Sequence, residues 1–267
     1  KFPLNLKAYT SIVGQERDST ILNGGNVIYI LHGNPKTVNY SVKNLSIEYG
    51  SGNFINSKGA FKLLYNNNGR FEDIIFRNNI GSGNAAGAIY NSNGFLIKNS
   101  YFKNNMGGPV LRIGTSFNED YDPPFQADTV QLINCSFQEN TADTTLNGEG
   151  VGGGLVVYTY LDYTDSLTCN LINSEFIENI TTSNTPNQLT INALAQMWGS
   201  NVYLINSTFT HNAVNSLGGA VGINDNSKLF IYNSILYQNE PAQLWLAGDY
   251  GGTPSLTVYN SNVETGQ

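Results

Sequence analysis

Charge is scarce in this chain of 267 residues: 12% are Asp, Glu, Lys or Arg, and beyond Arg112 a single basic residue, Lys228, remains. Nucleic-acid binding draws on clustered Lys and Arg, so the net charge of −7 argues against nucleic acid as a partner. Cysteine is nearly missing as well. Cys135 and Cys169 fall several residues out of register within the repeat described below, so a bridge between them is not expected; both read as buried free thiols acting as small apolar fillers. The two histidines, His32 and His211, stand too far apart to pair on a metal or to build a Ser-His-Asp arrangement. No apolar run is long enough to cross a membrane, and no secretory leader stands at the start. The chain opens at Lys1 without a Met, so a leader is expected to have been removed.

What is abundant is Asn, Gly and a repeated phrase. Val202 to Asn212 recurs, in altered letters, at Val130 to Asn140, Cys169 to Asn179, Leu229 to Asn239 and Phe95 to Asn105. Aligned on the bulky residue near its end, the phrase puts Ile47, Phe76, Phe102, Phe137, Phe176, Phe209, Leu236 and Val263 in one column. Five residues earlier the column reads Val42, Phe71, Ile97, Leu132, Leu171, Leu204, Ile231 and Val258. Three before the anchor it reads Asn44, Asp73, Asn99, Asn134, Asn173, Asn206, Asn233 and Asn260. Three after, it reads Gly50, Asn79, Asn105, Asn140, Asn179, Asn212, Asn239 and Gly266.

Self-similarity every 26 to 39 residues indicates a solenoid or propeller. Within each unit apolar and polar residues alternate, which is the period of a strand. Asn tolerates a left-handed backbone, so a column of Asn between two short strands reads as a bend repeated at every level. At the strand spacing of about 4.8 Å such side chains can hydrogen-bond up and down the stack. Propeller blades would need regular hairpin turns, and these are lacking. The expected fold is therefore all-β: a right-handed parallel β-helix of about nine turns, three short strands per turn, with an Asn ladder, roughly 40 Å long. The repeat runs through nearly the whole chain, which is expected to form one β-helix domain over residues 1–267. At Ser255 to Gln267 there is no polar cap, so further chain, another domain or another subunit is expected to follow.

Position along a solenoid is height. Residues 1 to 112 carry twelve basic and five acidic groups, and residues 113 to 267 one and fifteen, so the rod should be basic at its first end and acidic at its last. That asymmetry allows head-to-tail self-association. Lys43, Arg70, Arg77, Lys98 and Lys103 could form a basic face on the early turns. In the first 30 residues, Asp18, Ile21 and Gly24 fit the bend, anchor and exit positions of an additional first turn. In the middle of the rod the anchor spacing rises to 35, 39 and 33 residues before returning to 27. The added stretches, Gly114 to Asp128, Thr141 to Val151, Thr159 to Ser166, Ile180 to Gln188 and Ala195 to Ser200, are expected to stack as a wall of loops beside the rod, where repeat proteins usually carry their binding surface.

The opening phrase Ser11-Ile12-Val13-Gly14, followed by Ser19-Thr20-Ile21-Leu22, resembles the first turn of the pectate-lyase-like superfamily. Later turns are similar to the repeats of chlamydial polymorphic outer membrane proteins and related bacterial surface proteins, which pair a Gly-Gly-Ala-Ile phrase with a Phe-x-x-Asn phrase. Here Ala86-Gly87-Ala88-Ile89 follows Phe76 to Asn79, and Gly218-Gly219-Ala220-Val221 follows Phe209 to Asn212. The resemblance implies the β-helix fold and a bacterial surface or secreted setting, but it leaves activity open, because the superfamily includes lyases, hydrolases, epimerases, adhesins and passenger domains.

A lyase of this fold needs a base near the acids that neutralise a uronate, and the acidic half of the chain has almost no Lys or Arg. A hydrolase could work with two loop carboxylates facing a sugar. Asp120, Asp122, Asp162 and Asp165 are the candidates, and the same four could hold calcium, although their spacing does not match the known calcium loop; no other cofactor and no catalytic residue is assigned. Asp and Asn are also ordinary turn residues. Aromatic residues give the stronger signal. Tyr203, Phe230, Tyr232 and Tyr259 occupy outward positions of the repeating strand, with Ile133, Ile172 and Ile205 beside them, and Tyr160, Tyr163 and Trp198 lie in the added loops. Contiguous exposed rings mark a partner surface and suit stacking on sugars. The expected function is that of an extracellular or cell-surface module with an adhesive, glycan-binding or structural role, its partner a polysaccharide or a surface protein. The rival readings are a polysaccharide lyase or glycoside hydrolase using the loop acids, and a head-to-tail filament subunit.

Overall fold

In a computed structural model, the residues described are 3–26, 30–33, 37–52, 59–81, 85–115, 129–143, 154–159, 167–182, 194–197, 199–214, 219–248 and 252–264. Among them there is no helix. Parallel strands form three sheets of nine, sixteen and six strands. Each coil of a right-handed parallel β-helix visits them in turn. Phe61–Leu64 lies in the nine-stranded sheet, Arg70–Arg77 bends through the sixteen-stranded sheet, and Ile80–Gly81 lies in the six-stranded one. The sixteen-stranded sheet consists of two stacks that meet at the bend; Ser41–Glu48 and Arg70–Arg77 run through both, and in the other coils the strand breaks there.

The columns read from the sequence are the ones that pair. Val42, Phe71, Ile97, Leu132, Leu171, Leu204, Ile231 and Val258 are successive neighbours. So are Ile47, Phe76, Phe102, Phe137, Phe176, Phe209, Leu236 and Val263. From Phe76 to Phe209 the rings stack at centroid distances of 4.4 to 4.7 Å, a spacing dictated by the strand separation. At the bend, every residue from Asn44 to Asn260 in the Asn column has a positive φ, between 47° and 55°, which Asn and Asp tolerate better than other side chains.

Two Asn ladders form, not one. The outer ladder, at the bend, is exposed: Asn134 Nδ2 donates to Asn99 Oδ1 at 3.0 Å, Asn173 to Asn134 at 3.3 Å and Asn206 to Asn173 at 3.1 Å. The inner ladder is buried. Asn79, Asn105, Asn140, Asn179 and Asn212 each donate Nδ2 to the Oδ1 of the next Asn up, at 2.7 to 3.1 Å, and each also donates to a core carbonyl, as Asn140 does to Phe102 O at 2.8 Å. At its upper end Asn239 donates to Gln243 Oε1, and Gln243 donates in turn to the Glu264 carboxylate. All the amide dipoles point the same way, so an anion at the end where the donors emerge is favourable by the reasoning that applies to a helix N-terminus.

A third polar column follows the outer Asn: Ser100, Cys135, Ser174, Ser207, Ser234 and Ser261. Backbone N–H groups of one coil donate to the hydroxyl above, as Ser207 N does to Ser234 Oγ at 3.0 Å. Cys135 therefore occupies a serine position, its sulfur 3.6 Å from Ile133 O, whereas Cys169 sits in an apolar column between Val130 and Val202. Both thiols are free and buried, as the sequence implied, and burial raises the Cys135 pKa to about 12.

Two register expectations are corrected. In the first coil Leu22, not Ile21, pairs with Ile47, and the turn from Gln15 to Thr20 makes the path from the Val42 partner Ile12 to the Ile47 partner Leu22 five residues longer than in the next coil. Several stretches counted as added loops begin or end as strands. Thr141–Asp143 and Ile180–Thr182 belong to the six-stranded sheet, and Leu194–Met197 pairs with Leu155–Tyr158 and Val221–Asn224 in the nine-stranded one. The backbone of even a lengthened coil must return to the ladder to satisfy its N–H and C=O groups.

Candidate binding face

The first stack of the sixteen-stranded sheet turns two columns outward. One runs Ser41, Arg70, Leu96, Gln131, Asn170, Tyr203, Phe230, Thr257. The other runs Lys43, Glu72, Lys98, Ile133, Ile172, Ile205, Tyr232, Tyr259 along the same strand pairings. This face therefore changes character along the axis, charged at the low coils and aliphatic then aromatic at the high ones. The alternation of each strand fixes this, since residues one place either side of a buried position must face out.

The four described aromatic candidates, Tyr203, Phe230, Tyr232 and Tyr259, do meet on this face. Their rings are not equally available. Tyr203 and Phe230 stack 4.5 Å apart and 7° from parallel, so each covers one face of the other. Tyr232 and Tyr259 are 6.5 Å apart at 58°, and Tyr259 is 62% exposed, which leaves its ring face open. Tyr160, Tyr163 and Trp198, together with the acids Asp120, Asp122, Asp162 and Asp165, lie outside the described residues. Among the described residues no group of three His, Cys, Asp or Glu is placed to hold a metal ion. No helix of the described residues is long and apolar enough to cross a membrane.

The early basic face is largely neutralised. Lys43 pairs with Glu72 at 2.6 Å, Arg77 with Glu48 at 2.6 Å and Lys103 with Glu139 at 3.1 Å, because acids occupy the adjacent coil or corner. Arg70, exposed, has no acid partner among the described residues. His211 lies at a corner with φ 55° and shares a 2.8 Å hydrogen bond with Thr210 Oγ1. His32 sits in the nine-stranded sheet beside Lys62; burial first, then the Lys62 charge, lowers its pKa.

One feature of this face escaped the sequence reading. A cleft of about 480 Å³ opens at its low end, lined by Asn39, Tyr40, Ser41, Lys43, Asn68, Arg70 and Gly94. The available signal was a second set of bend residues, Asn39, Asn68 and Gly94, at coil spacing, with φ of 53°, 55° and 68°.

No family model and no curated protein matches the chain. Among solved structures, the surface adhesin PfbA of Streptococcus pneumoniae is similar at 12% identity and a TM-score of 0.35, over 89% of this chain and 81% of that one. A second structure of PfbA matches at 14% identity and a TM-score of 0.34, over 96% and 89%. The catalytic domain of a GH87 alpha-1,3-glucanase in complex with tetrasaccharides matches at 12% identity and a TM-score of 0.27, over 97% of this chain and 62% of that one. Likeness at this level carries no argument about activity, and the parallel β-helix assignment rests on the strand pairing of the chain itself.

Proposed function

We propose that the protein is an extracellular or cell-surface β-helix module that adheres to a polysaccharide or a surface protein through the outward face of its upper coils. One observation carries this reading: Ile133, Ile172, Ile205, Tyr232 and Tyr259 run as an unbroken outward column beside the Tyr203 and Phe230 pair. A solvated sheet face normally alternates with polar residues outward, and a contiguous apolar strip over five coils is the pattern of a partner surface. Tyr259, with its open ring, is the residue suited to stack on a sugar, and the aliphatic column supplies flat apolar area along the axis.

The test is a glycan array read together with an assay for new reducing ends or unsaturated uronates. Binding without product formation supports the module, and product formation refutes it in favour of an enzyme using the loop acids. Tyr259→Ala and Tyr232→Ala should each weaken binding about fivefold to a hundredfold, the loss expected for one stacked ring at about 1 to 3 kcal/mol. Unchanged binding in both variants removes this face from consideration.

A further inference from the structure

We propose that the cleft at the low end of the same face is a subsite for an acidic sugar, so that the ligand is a glycan carrying carboxylates. This rests on the glycan-binding reading above. Arg70 lines the cleft from an outward strand position between Ser41 below and Leu96 above. The other cation of the lining, Lys43, is already neutralised by Glu72. Among the described residues the cleft thus holds one uncompensated positive charge, beside the polar side chains of Asn39, Asn68 and Ser41. A guanidinium fork matches a carboxylate in two parallel hydrogen bonds, while amides and a hydroxyl suit the ring hydroxyls of a sugar. The volume, about 480 Å³, lies within the range of small-ligand sites.

The cleft is built by the backbone. Asn39, Asn68 and Gly94 follow one another at the corner in left-handed conformations, and a Cβ on Gly94 would come within 2.4 Å of Asn68 Oδ1. The absent side chain at position 94 leaves room for the Asn68 amide and keeps the mouth open above it. Arg70 and Tyr203 belong to one column four coils apart, roughly 19 Å at the usual strand spacing. A chain of a few sugars can bridge from the guanidinium to the aromatic coils. The upper half of the molecule carries fifteen acids against one base, so it repels a polyanion and restricts the carboxylate to the low end.

The experiment measures binding of a glucuronate-containing disaccharide, its neutral glucose counterpart and acetate to the whole chain, by ligand-observed NMR. The uronate disaccharide is expected to bind, to weaken as salt rises, and to bind at least tenfold better than the neutral sugar. Arg70→Gln should weaken it by roughly tenfold to a hundredfold, the loss of a charge-assisted hydrogen bond, with Arg70→Lys intermediate and Lys62→Gln, in the nine-stranded sheet, unchanged. Equal binding of the neutral sugar, competition by acetate as strong as by the disaccharide, or indifference to Arg70→Gln overturns the subsite. If Arg70→Gln has no effect while Tyr259→Ala still weakens array binding, the subsite fails and the adhesive face stands.

Discussion

Replacing Asn140 by Ala probes whether the buried ladder holds the coils together. Asn140 Nδ2 donates to Phe102 O and to Asn179 Oδ1, both at 2.8 Å, and its Oδ1 accepts from the Asn105 backbone N–H at 3.0 Å and from Asn105 Nδ2 at 3.1 Å. After truncation, Asn105 Nδ2 keeps Phe76 O and Asn179 Oδ1 keeps the Asn140 backbone N–H. The Asn105 N–H loses its partner in a region closed to water, whereas the Phe102 carbonyl, inside the parallel ladder, loses only a second donor. At about 1 to 3 kcal/mol for a buried polar group left unmatched, the expected loss is about 1 to 3 kcal/mol. The matched control is Asn134→Gly in the outer ladder. Its corner has φ 54°, which glycine adopts without strain, and water replaces its exposed amide bonds, so the loss should not exceed about 1 kcal/mol. Guanidinium chloride unfolding followed by circular dichroism measures both. A loss below about 1 kcal/mol for Asn140→Ala, or equal losses for the two variants, refutes the claim that burial gives the inner ladder its weight.

The two cysteines should respond oppositely to serine. Cys135→Ser restores the hydroxyl column and should stay within about 1 kcal/mol of the parent, while Cys169→Ser buries a hydroxyl among Val130 and Val202 and should lose about 1 to 3 kcal/mol in the same unfolding assay. The Cys135 thiol has its pKa raised from 9.0 to about 12, so the stability it favours is complete below pH 9 and is lost as pH rises towards 12; the alkaline decline should be shallower in Cys135→Ser. Iodoacetamide at pH 8 should label neither thiol until the chain unfolds. Tyr40 lies beneath Gly69 with its hydroxyl buried and without a partner among the described residues, so Tyr40→Phe should raise the unfolding midpoint by the equivalent of about 1 kcal/mol or more. Gly69→Ala should lower it, since a Cβ there would meet Phe95 at 2.5 Å and the Tyr40 hydroxyl at 2.8 Å.

The sequence by itself determined the stack. Repeated letters at coil spacing placed Phe102 on Phe76 and Leu204 on Leu171, because identical strands in parallel register bring like residues together at each level. It also identified Tyr203, Phe230, Tyr232 and Tyr259 as outward, since alternation is a local rule. Only the tertiary structure decided what lies between the columns. Which Asn column is buried depends on the return path of the coil, not on the letter Asn. That Lys43, Arg77 and Lys103 meet acids, while Arg70 meets none among the described residues, depends on one-residue registers between coils 29 to 36 residues apart in sequence. The cleft at Arg70 exists because Gly94 and two Asn corners coincide in space, a conjunction of three distant residues that no local period encodes.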